Sequence, residues 1–203
     1  MPGRRGFTLI ELMVVVVIIT ALAALAIPSI IRQMRDRRVR QAAEEIALIY
    51  RQARLRALGR GSAVMVRYTV AQGVAQGFQT LEAVVGGGGN CASLPSPNCL
   101  TTLWGQPVTT ANGSQQIGLF NPIQGAYQGV VVIVSPTGAV VATSADLDVC
   151  FTPMGRSFSA TPLGTPLATM TGVPLITVAG SAGGLTRQVL IPPNGLARTG
   201  VSK

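Results

Sequence analysis

Residues 4–31 read RRGFTLIELMVVVVIITALAALAIPSII, and this stretch sets the organisation of the whole chain. From Leu12 to Ile27 only Thr20 carries a polar side chain, so a bilayer is the natural solvent for this segment. Glu11 stands at the start of the apolar run. An ionisable group in such a segment is expensive enough to indicate a function, and we therefore treat Glu11 as a candidate site residue.

The composition describes a chain of 203 residues, with room for one globular domain and an extension. With 24 Gly, 13 Pro and only 7 acidic residues, the part after the apolar segment is typical of a loop-rich β domain. The sequence has no His, which removes the commonest general base and metal ligand. We therefore predict no enzyme activity, no cofactor and no metal site. Asp146 and Asp148 form a carboxylate pair two residues apart, which we interpret as a solvated strand face.

The positive charge is concentrated in one segment. The chain has a net charge of +9, and the residues from Arg32 to Arg67 contribute ten Arg and three acids, or +7 of that total. From Tyr68 onward four basic and three acidic residues leave +1. The basic character therefore belongs to the region directly after the apolar segment.

The junction before the apolar segment, RRG at residues 4–6 followed by FTLIEL at residues 7–12, resembles the class III signal of type IV pilins and pseudopilins. The resemblance implies that a prepilin peptidase cuts after Gly6 on the cytoplasmic side and N-methylates Phe7. A secretory signal peptide fits less well, because no small-residue cleavage site follows the apolar run. The alternative is an unprocessed single-pass anchor.

The resemblance also implies a role for Glu11 in assembly. Cleavage leaves a positive amine on Phe7, and in pilin-like filaments the Glu of a neighbouring subunit neutralises this amine. Pairing the two charges in a low-dielectric setting would select the correct register between subunits. In the alternative, Glu11 folds back onto the amine of its own chain, four residues away on the same helical face.

The fold class predicted is α+β: a long N-terminal helix, transmembrane in its first half and amphipathic in its second, packed on an antiparallel β-sandwich head. We expect the helix to run from Phe7 to Leu58, to continue through Pro28 and to stop at Gly59 and Gly61. The domains predicted are a leader peptide over 1–6, a membrane or filament-core helix over 7–31, an amphipathic periplasmic helix over 32–58 and a head over 62–203.

Helical spacing predicts one apolar face on the second half of the helix. Its members are Val39, Ala42, Ala43, Ile46, Ile49, Tyr50, Ala53 and Ala57. Arg37, Arg40, Glu44 and Arg51 fall on roughly the opposite side, with Arg40 and Glu44 spaced to pair. In the head, short β-rich runs predict strands over 63–70, 78–85, 129–134, 139–143, 147–152, 175–178 and 186–191. Residues 86–116 are predicted to form a long surface excursion.

Four further pieces narrow the resemblance: RVRQAAEEI at 38–46, RQARLRAL at 51–58, FTPMGR at 151–156 and IPPNG at 191–195. They are similar to the minor pseudopilins and minor pilins that include general secretion pathway protein H and FimT. The similarity implies a pilin-like fold and a place in the pseudopilus of type II secretion. The partners implied are the prepilin peptidase, other major and minor pseudopilins or pilins, and secreted cargo or the outer-membrane secretin.

A FimT-like minor pilin, acting in pilus assembly or DNA uptake, is the alternative function. The resemblance places DNA contact near a Gly-Arg-x-Arg motif at the C-terminal end, but here Leu196 follows Gly195. Arg187, Arg198 and Lys203 remain as a small phosphate-binding patch, and three charges would release few counterions. We therefore favour secretion over nucleic-acid binding.

The localisation implied is the bacterial inner membrane, single-pass, with the N-terminus cytoplasmic and the head periplasmic. The positive-inside rule favours the opposite orientation, because two Arg precede the apolar segment and five follow it closely. In an oxidising periplasm, Cys91 and Cys99 could close a small loop, which would leave Cys150 free. Pairing of Cys150 with either of the others is the open alternative.

Overall fold

The computed structural model describes residues 8–70, 77–86, 93–106, 112–139, 144–161 and 165–201. One long helix, α1 (Leu9–Arg60), occupies 52 residues of it. Thr8 caps the N-terminus, and Pro28 lies inside the helix without ending it. Gly61 ends α1 in the left-handed conformation, with φ 68°, and its N–H donates to the carbonyl of Ala57. The predicted continuous helix is confirmed, shifted by two residues at each end.

The two halves of α1 differ in burial. Side chains from Leu9 to Met34 are exposed, and none of the most apolar 18-residue window is buried. Burial begins at Val39, and the buried positions follow at helical spacing: Val39, Ala42, Ala43, Ile46, Ala47, Tyr50, Ala53 and Ala57. The predicted apolar face is therefore confirmed, except that Ile49 is only partly buried.

The head consists of antiparallel strands after α1. The described strands are β1 (Val64–Thr69), β2 (Gly77–Gly86), β3 (Ser93–Pro95), β4 (Gly113–Phe120), β5 (Val130–Ser135), β6 (Leu147–Phe151), β7 (Ser157–Ala160), β8 (Ala168–Thr169), β9 (Leu175–Gly180), β10 (Arg187–Leu190) and β11 (Arg198–Val201). A short 3-10 turn, Gly125–Tyr127, precedes β5. Six of the seven predicted strands match described ones, and most of the seventh, 139–143, lies outside the described residues.

Two sheets form the head. The larger has the order β3-β2-β1-β6-β7-β8, with β4 also paired to β2, and the smaller has the order β11-β10-β9-β5. Helix α1 packs against strands of both sheets. Its small buried residues allow this close approach, and the shared core combines them with Val and Ile side chains from the two sheets. The α+β class, with a long helix packed on antiparallel sheets, is confirmed.

An aromatic cluster joins the helix to the larger sheet. The Phe78 ring lies 6.2 Å from Tyr50 of α1 and 4.9 Å from Tyr68 of β1. Phe120 and Tyr127 extend the cluster, with ring centroids 5.3 Å apart. Such contacts contribute about 0.5–1.5 kcal/mol per pair beyond burial. The cluster attaches α1 to β1 and β2 of the larger sheet.

The prediction of a surface excursion over residues 86–116 is wrong for much of its described part. Its strand β3 pairs with β2, and β4, which begins at Gly113, pairs with β2 over most of its length. Ser96, Cys99 and Thr102 are buried. Strand β4 was not predicted because Gly113, Gln115 and Gln116 have low strand propensity. In the structure, pairing with β2 overrides that propensity.

The interpretation of Asp148 as part of a solvated strand face is also wrong. Its side chain is buried, and Arg67 on the paired strand β1 donates to both carboxylate oxygens at 2.9–3.3 Å. Asp146 lies just before β6 and accepts from the N–H of Val70. The two acids therefore bind different groups within the head, and each serves to join β1 to β6.

Candidate functional site

The N-terminal end of α1 carries the predicted processing and assembly residues. Gly6 and Phe7 lie outside the described residues, so their roles stay predictions. Thr8 is the first described residue, and its hydroxyl accepts from the N–H of Glu11 at 3.3 Å. Glu11 therefore occupies the third helical position, where an acid also complements the positive end of the helix dipole.

The carboxylate of Glu11 is exposed at this end of the helix. Within the described ranges it has no hydrogen-bond or ion-pair partner among the side chains. It is the one acidic residue in the first turn of α1. Its charge is therefore free to pair with a group supplied at the N-terminus or by another molecule.

The first half of α1 is a candidate membrane-spanning segment by length and composition. Its two hydroxyl side chains are satisfied within the helix: Thr20 donates to the carbonyls of Val16 and Val17, and Ser29 donates to the carbonyl of Ala26. No polar side chain between Leu12 and Ile31 thus depends on water. This half of the helix is suited to a lipid environment or to the apolar core of a filament.

The other end of α1 is held to the head by a buried carboxylate, Glu82 on β2, whose side chain is 1% exposed. Arg56 donates to Glu82 Oε2 through Nη2 at 2.7 Å and Nε at 3.1 Å. Arg60 Nε lies 3.1 Å from Oε1, Ser62 donates to Oε1 at 2.7 Å, and Gln115 donates to Oε2 at 3.2 Å.

This Glu82 cluster joins the last turn of α1 to β2 and β4. Burial acts to raise the pKa of Glu82, but the hydrogen bonds from Ser62, Arg56 and Gln115 outweigh it and hold the pKa below its ordinary value. The carboxylate therefore stays ionised and keeps both arginines in place. Sequence reasoning missed the cluster, although a lone acid in an apolar strand is a signal for a buried ion pair.

Comparison with families of known proteins matches residues 1–27 to the prokaryotic N-terminal methylation motif. The matched stretch contains the predicted cleavage junction, Glu11 and most of the exposed apolar half of α1. It indicates a type IV pilin-like protein. Comparison with curated proteins and with solved structures gives no match.

The motif and the apolar half of α1 fit a membrane-anchored pilin, and the motif implies processing by a prepilin peptidase and assembly with other pilins. The long α1, apolar below and packed on the head above, fits this architecture. A structural, non-enzymatic role is in keeping with the motif. Within the described residues no group of three or more His, Cys, Asp or Glu could hold a metal ion.

The disulfide of the head joins Cys99 to Cys150, 51 residues apart. The predicted Cys91–Cys99 pair is therefore wrong, and Cys91 itself lies outside the described residues. The reason is topological. The carbonyl of Ser96 accepts from Ala63 at the start of β1, and its N–H donates to Ala83. These bonds carry the chain back over the larger sheet to Cys150 on β6.

The residues of the predicted DNA patch are not brought together. Arg187 pairs with Val201 and Arg198 pairs with Leu190, at opposite ends of the β10–β11 ladder. The two positions lie about 10 Å apart along the strands, and the period of two places them on opposite faces. Arg187 is half-buried, Arg198 is exposed, and Lys203 lies outside the described residues.

Three of the pieces that carried the narrower resemblance, at residues 51–58, 151–156 and 191–195, meet in the structure. Gly195 has φ 71°, and a Cβ added there would lie 2.8 Å from Phe151 and 2.9 Å from Arg54 of α1. Only glycine fits this turn without displacement of its neighbours. The following carbonyl of Ala197 accepts from Arg51 Nε at 2.8 Å. Arg51 therefore faces the head, which corrects its predicted place on the opposite side of α1.

A groove of the head lies between α1 and the edge formed by β2 and β4, with a volume of about 400 Å³. Its lining mixes ring and aliphatic side chains with a few polar ones: Glu45, Ile49, Gln52, Ala53, Arg56, Phe78, Thr80, Ile117, Gly118, Leu119 and Phe120. The half-buried Glu45 and the exposed Leu119 border it. The groove lies beside the Glu82 cluster, with which it shares Arg56.

Proposed function

We propose that the chain is a minor pseudopilin of type II secretion, cut by prepilin peptidase after Gly6. The observation that supports this most is the methylation motif over residues 1–27, joined to a helix whose second half is built into a head domain. Before assembly, the mature subunit resides in the inner membrane, with its N-terminus in the cytoplasm and its head in the periplasm. It then enters a short periplasmic pseudopilus through the exposed half of α1.

The exposed half of α1 is the surface that drives this entry. Its side chains from Leu9 to Met34 lie away from the head and are mostly apolar, and Glu11 and Arg32 are the charged ones among them. Moving from lipid to a bundle of like helices exchanges one apolar environment for another, so the gain comes from packing and from charge pairing. The head, held by the Glu82 cluster and the aromatic contacts, moves with the helix as one body.

Glu11 carries the charge pairing in this proposal. Its carboxylate has no partner within the described residues, and its backbone N–H is already bound by Thr8. An unpaired carboxylate in lipid costs several kcal/mol, so a partner amine at Phe7 of a neighbouring subunit gives a strong preference for one register. The N-terminal position of Glu11 on the helix is the supporting observation.

DNA uptake as a FimT-like minor pilin is the alternative, and the geometry of the head disfavours it. Arg187 and Arg198 lie on opposite faces of the smaller sheet, so one duplex cannot contact both. A single exposed arginine supplies little of the counterion release that sustains DNA binding. Leu196 also stands where the Gly-Arg-x-Arg motif of DNA-binding relatives would have arginine, which further disfavours DNA binding.

The first experiment measures intact mass and the N-terminus of the membrane-extracted protein from its host, with and without the prepilin peptidase. The expected product begins at N-methylated Phe7 and disappears when the peptidase is absent. A chain that keeps residues 1–6 in both samples would overturn the proposal and leave an unprocessed anchor. The Gly6→Ala and Gly3→Ala variants form a matched pair, since only the first changes the junction.

A second experiment separates the two systems. The gene is deleted in the host and complemented, and secreted protein, pilus number and DNA uptake are measured in the same cultures. Loss of secretion with pili and uptake intact is expected. Loss of pili or of uptake with normal secretion would overturn the pseudopilin assignment in favour of the minor pilin.

A further inference from the structure

We propose that five arginines directly above the apolar half of α1 form a binding surface for the phosphates of anionic phospholipids. The five are Arg32, Arg35, Arg37, Arg38 and Arg40, and we refer to them as the arginine collar. All five are exposed. The inference goes beyond the proposed function and rests only on the part of it that inserts α1 into a membrane.

The position of the collar matches the headgroup layer. The uncharged run from Leu12 to Ile31 measures about 30 Å as a helix, which equals the hydrocarbon thickness of a bilayer. Arg32 is therefore the first residue beyond the hydrocarbon. The collar extends about 12 Å further, and its side chains lean toward the helix N-terminus, which is toward the bilayer.

The collar surrounds the helix. At about 100° per residue, its members point near 0°, 300°, 140°, 240° and 80° around the axis, so no gap between neighbours exceeds about 100°. A duplex or a folded partner would contact one side of α1 only. A layer that surrounds the helix on all sides, as lipid headgroups do, meets every member of the collar.

The charge of the collar is not neutralised within the described chain. Asp36 is the acid inside it, and one of its oxygens accepts from the N–H of Leu185. Glu44 pairs with Arg40 at 2.9 Å on an exposed face. Arg32, Arg35 and Arg37 have no carboxylate partner among the described residues. The excess positive charge is thus available to an external anion.

Part of the collar borders a recess under the head. Arg35 and Arg38 line a cavity of about 260 Å³ whose other walls are Val39 and residues 128–130 and 180–182. Arg38 Nη1 donates to the carbonyl of Gln128 at 3.4 Å, a long contact that leaves its other N–H groups free. Because burial of α1 begins at Val39, this recess lies at the edge of the head nearest to the apolar half. A headgroup phosphate at the bilayer surface can therefore reach it.

The test uses the full chain in mild detergent, mixed with equal amounts of phosphatidylglycerol and phosphatidylcholine. Retained lipid is separated by gel filtration and its headgroups are quantified. We expect enrichment of phosphatidylglycerol on the wild type. The variants R35Q/R38Q and R32Q/R37Q, from different sides of the helix, should each reduce it, by about fivefold per arginine removed.

The matched control is R51Q/R156Q, which removes the same charge from exposed arginines outside the collar. Arg51 lies about 30 Å along the helix from the end of the apolar run, well beyond the screening length, so the enrichment should be unchanged. Equal loss in the control would overturn the inference. So would retention of both lipids by the wild type at the mixing ratio, which is the result expected if the collar instead serves an acidic protein.

Two further arms complete the test. An equimolar addition of inorganic phosphate should leave the enrichment unchanged, whereas displacement would assign the recess to a soluble anion. If the phosphatidylglycerol enrichment falls only in R35Q/R38Q, the lipid site lies on one side of the helix, and the proposal of a collar that surrounds the helix is overturned. Flotation of the same protein with vesicles measures membrane insertion separately from lipid preference. If the protein floats with vesicles but retains no excess phosphatidylglycerol, this inference alone is overturned. If it retains excess phosphatidylglycerol but is not cleaved after Gly6, only the proposed function is overturned.

Discussion

Replacement of Glu82 by Gln should destabilise the head more than removal of an acidic charge from an exposed ion pair. Gln keeps the size of the side chain and an acceptor for Ser62, but removes the charge that holds Arg56 and Arg60. Because these contacts join the last turn of α1 to β2 and β4, the loss falls on the attachment of the helix.

The magnitude follows from the exposure of the partners. Removing one member of a fully buried ion pair costs about 3–5 kcal/mol. Here Glu82 is 1% exposed, but the side chains of Arg56 and Arg60 are 36% and 56% exposed and can turn to water. We therefore expect a loss of about 2 kcal/mol for Glu82→Gln, made up of weakened charge-assisted hydrogen bonds. For a head of this size that loss lowers Tm by about 4–8 °C.

The assay is thermal unfolding of the full chain in detergent, followed by near-UV circular dichroism of the aromatic cluster. Glu44→Gln is the matched control, since it removes the same charge from the exposed Arg40–Glu44 pair, and no resolvable change is expected there. A Tm for Glu82→Gln equal to that of Glu44→Gln would refute the reasoning. It would mean that hydrogen bonds from Arg56 and Arg60 to water are as favourable as their hydrogen bonds to the Glu82 carboxylate.

The same variant has a defined pH dependence. The pKa of Glu82 is held below its ordinary value of 4.5, so the folded head binds fewer protons than the unfolded chain just below that pH. This contribution to stability is present above about 4.5 and is lost as the pH falls through the lowered pKa. The difference in Tm between wild type and Glu82→Gln should narrow over that range. A constant difference would contradict the role of the ionised carboxylate.

Three other predictions follow from the structure. Cys150→Ala should cost about 2–4 kcal/mol, because it opens the loop closed by Cys99 and Cys150, whereas Cys91→Ala leaves that disulfide intact. Maleimide labelling of the unreduced, denatured wild type, followed by peptide mapping, should modify Cys91 alone, and label on Cys99 or Cys150 would contradict the pairing. Arg67→Met should destabilise the head by about 3 kcal/mol, because it leaves the buried carboxylate of Asp148 without its ion-pair partner. Burial raises the pKa of Asp148 despite the opposing effect of Arg67. The loss of stability in the variant should therefore become smaller at acidic pH, where the carboxyl group is neutral. Glu11→Gln should leave cleavage and membrane insertion normal but prevent incorporation into filaments, measured by shearing and immunoblotting; normal incorporation would remove Glu11 from assembly, and failed cleavage would assign it to processing.

The local features of α1 could be predicted from the sequence. The uncharged run after Glu11, the apolar periodicity from Val39 onward and the glycine stop at Gly61 are all signals between near neighbours in the chain. The pair Arg40–Glu44 is of the same kind and was predicted correctly, since its geometry depends on helical spacing alone. Strands with strong β-branched content were found for the same reason.

What the tertiary structure alone decided are the contacts between distant segments. Cys99 meets Cys150, Arg67 meets Asp148 and Glu82 collects donors from α1 and β4, because strand pairing brings together residues separated by tens of positions. Composition cannot rank such partners, since any cysteine or any opposite charge satisfies the pattern equally well. The sequence by itself determined a helix that is long and apolar enough to cross a membrane and that continues into a β head. The fold decided which polar groups form contacts within that head and which, such as the arginine collar, remain available to bind other molecules.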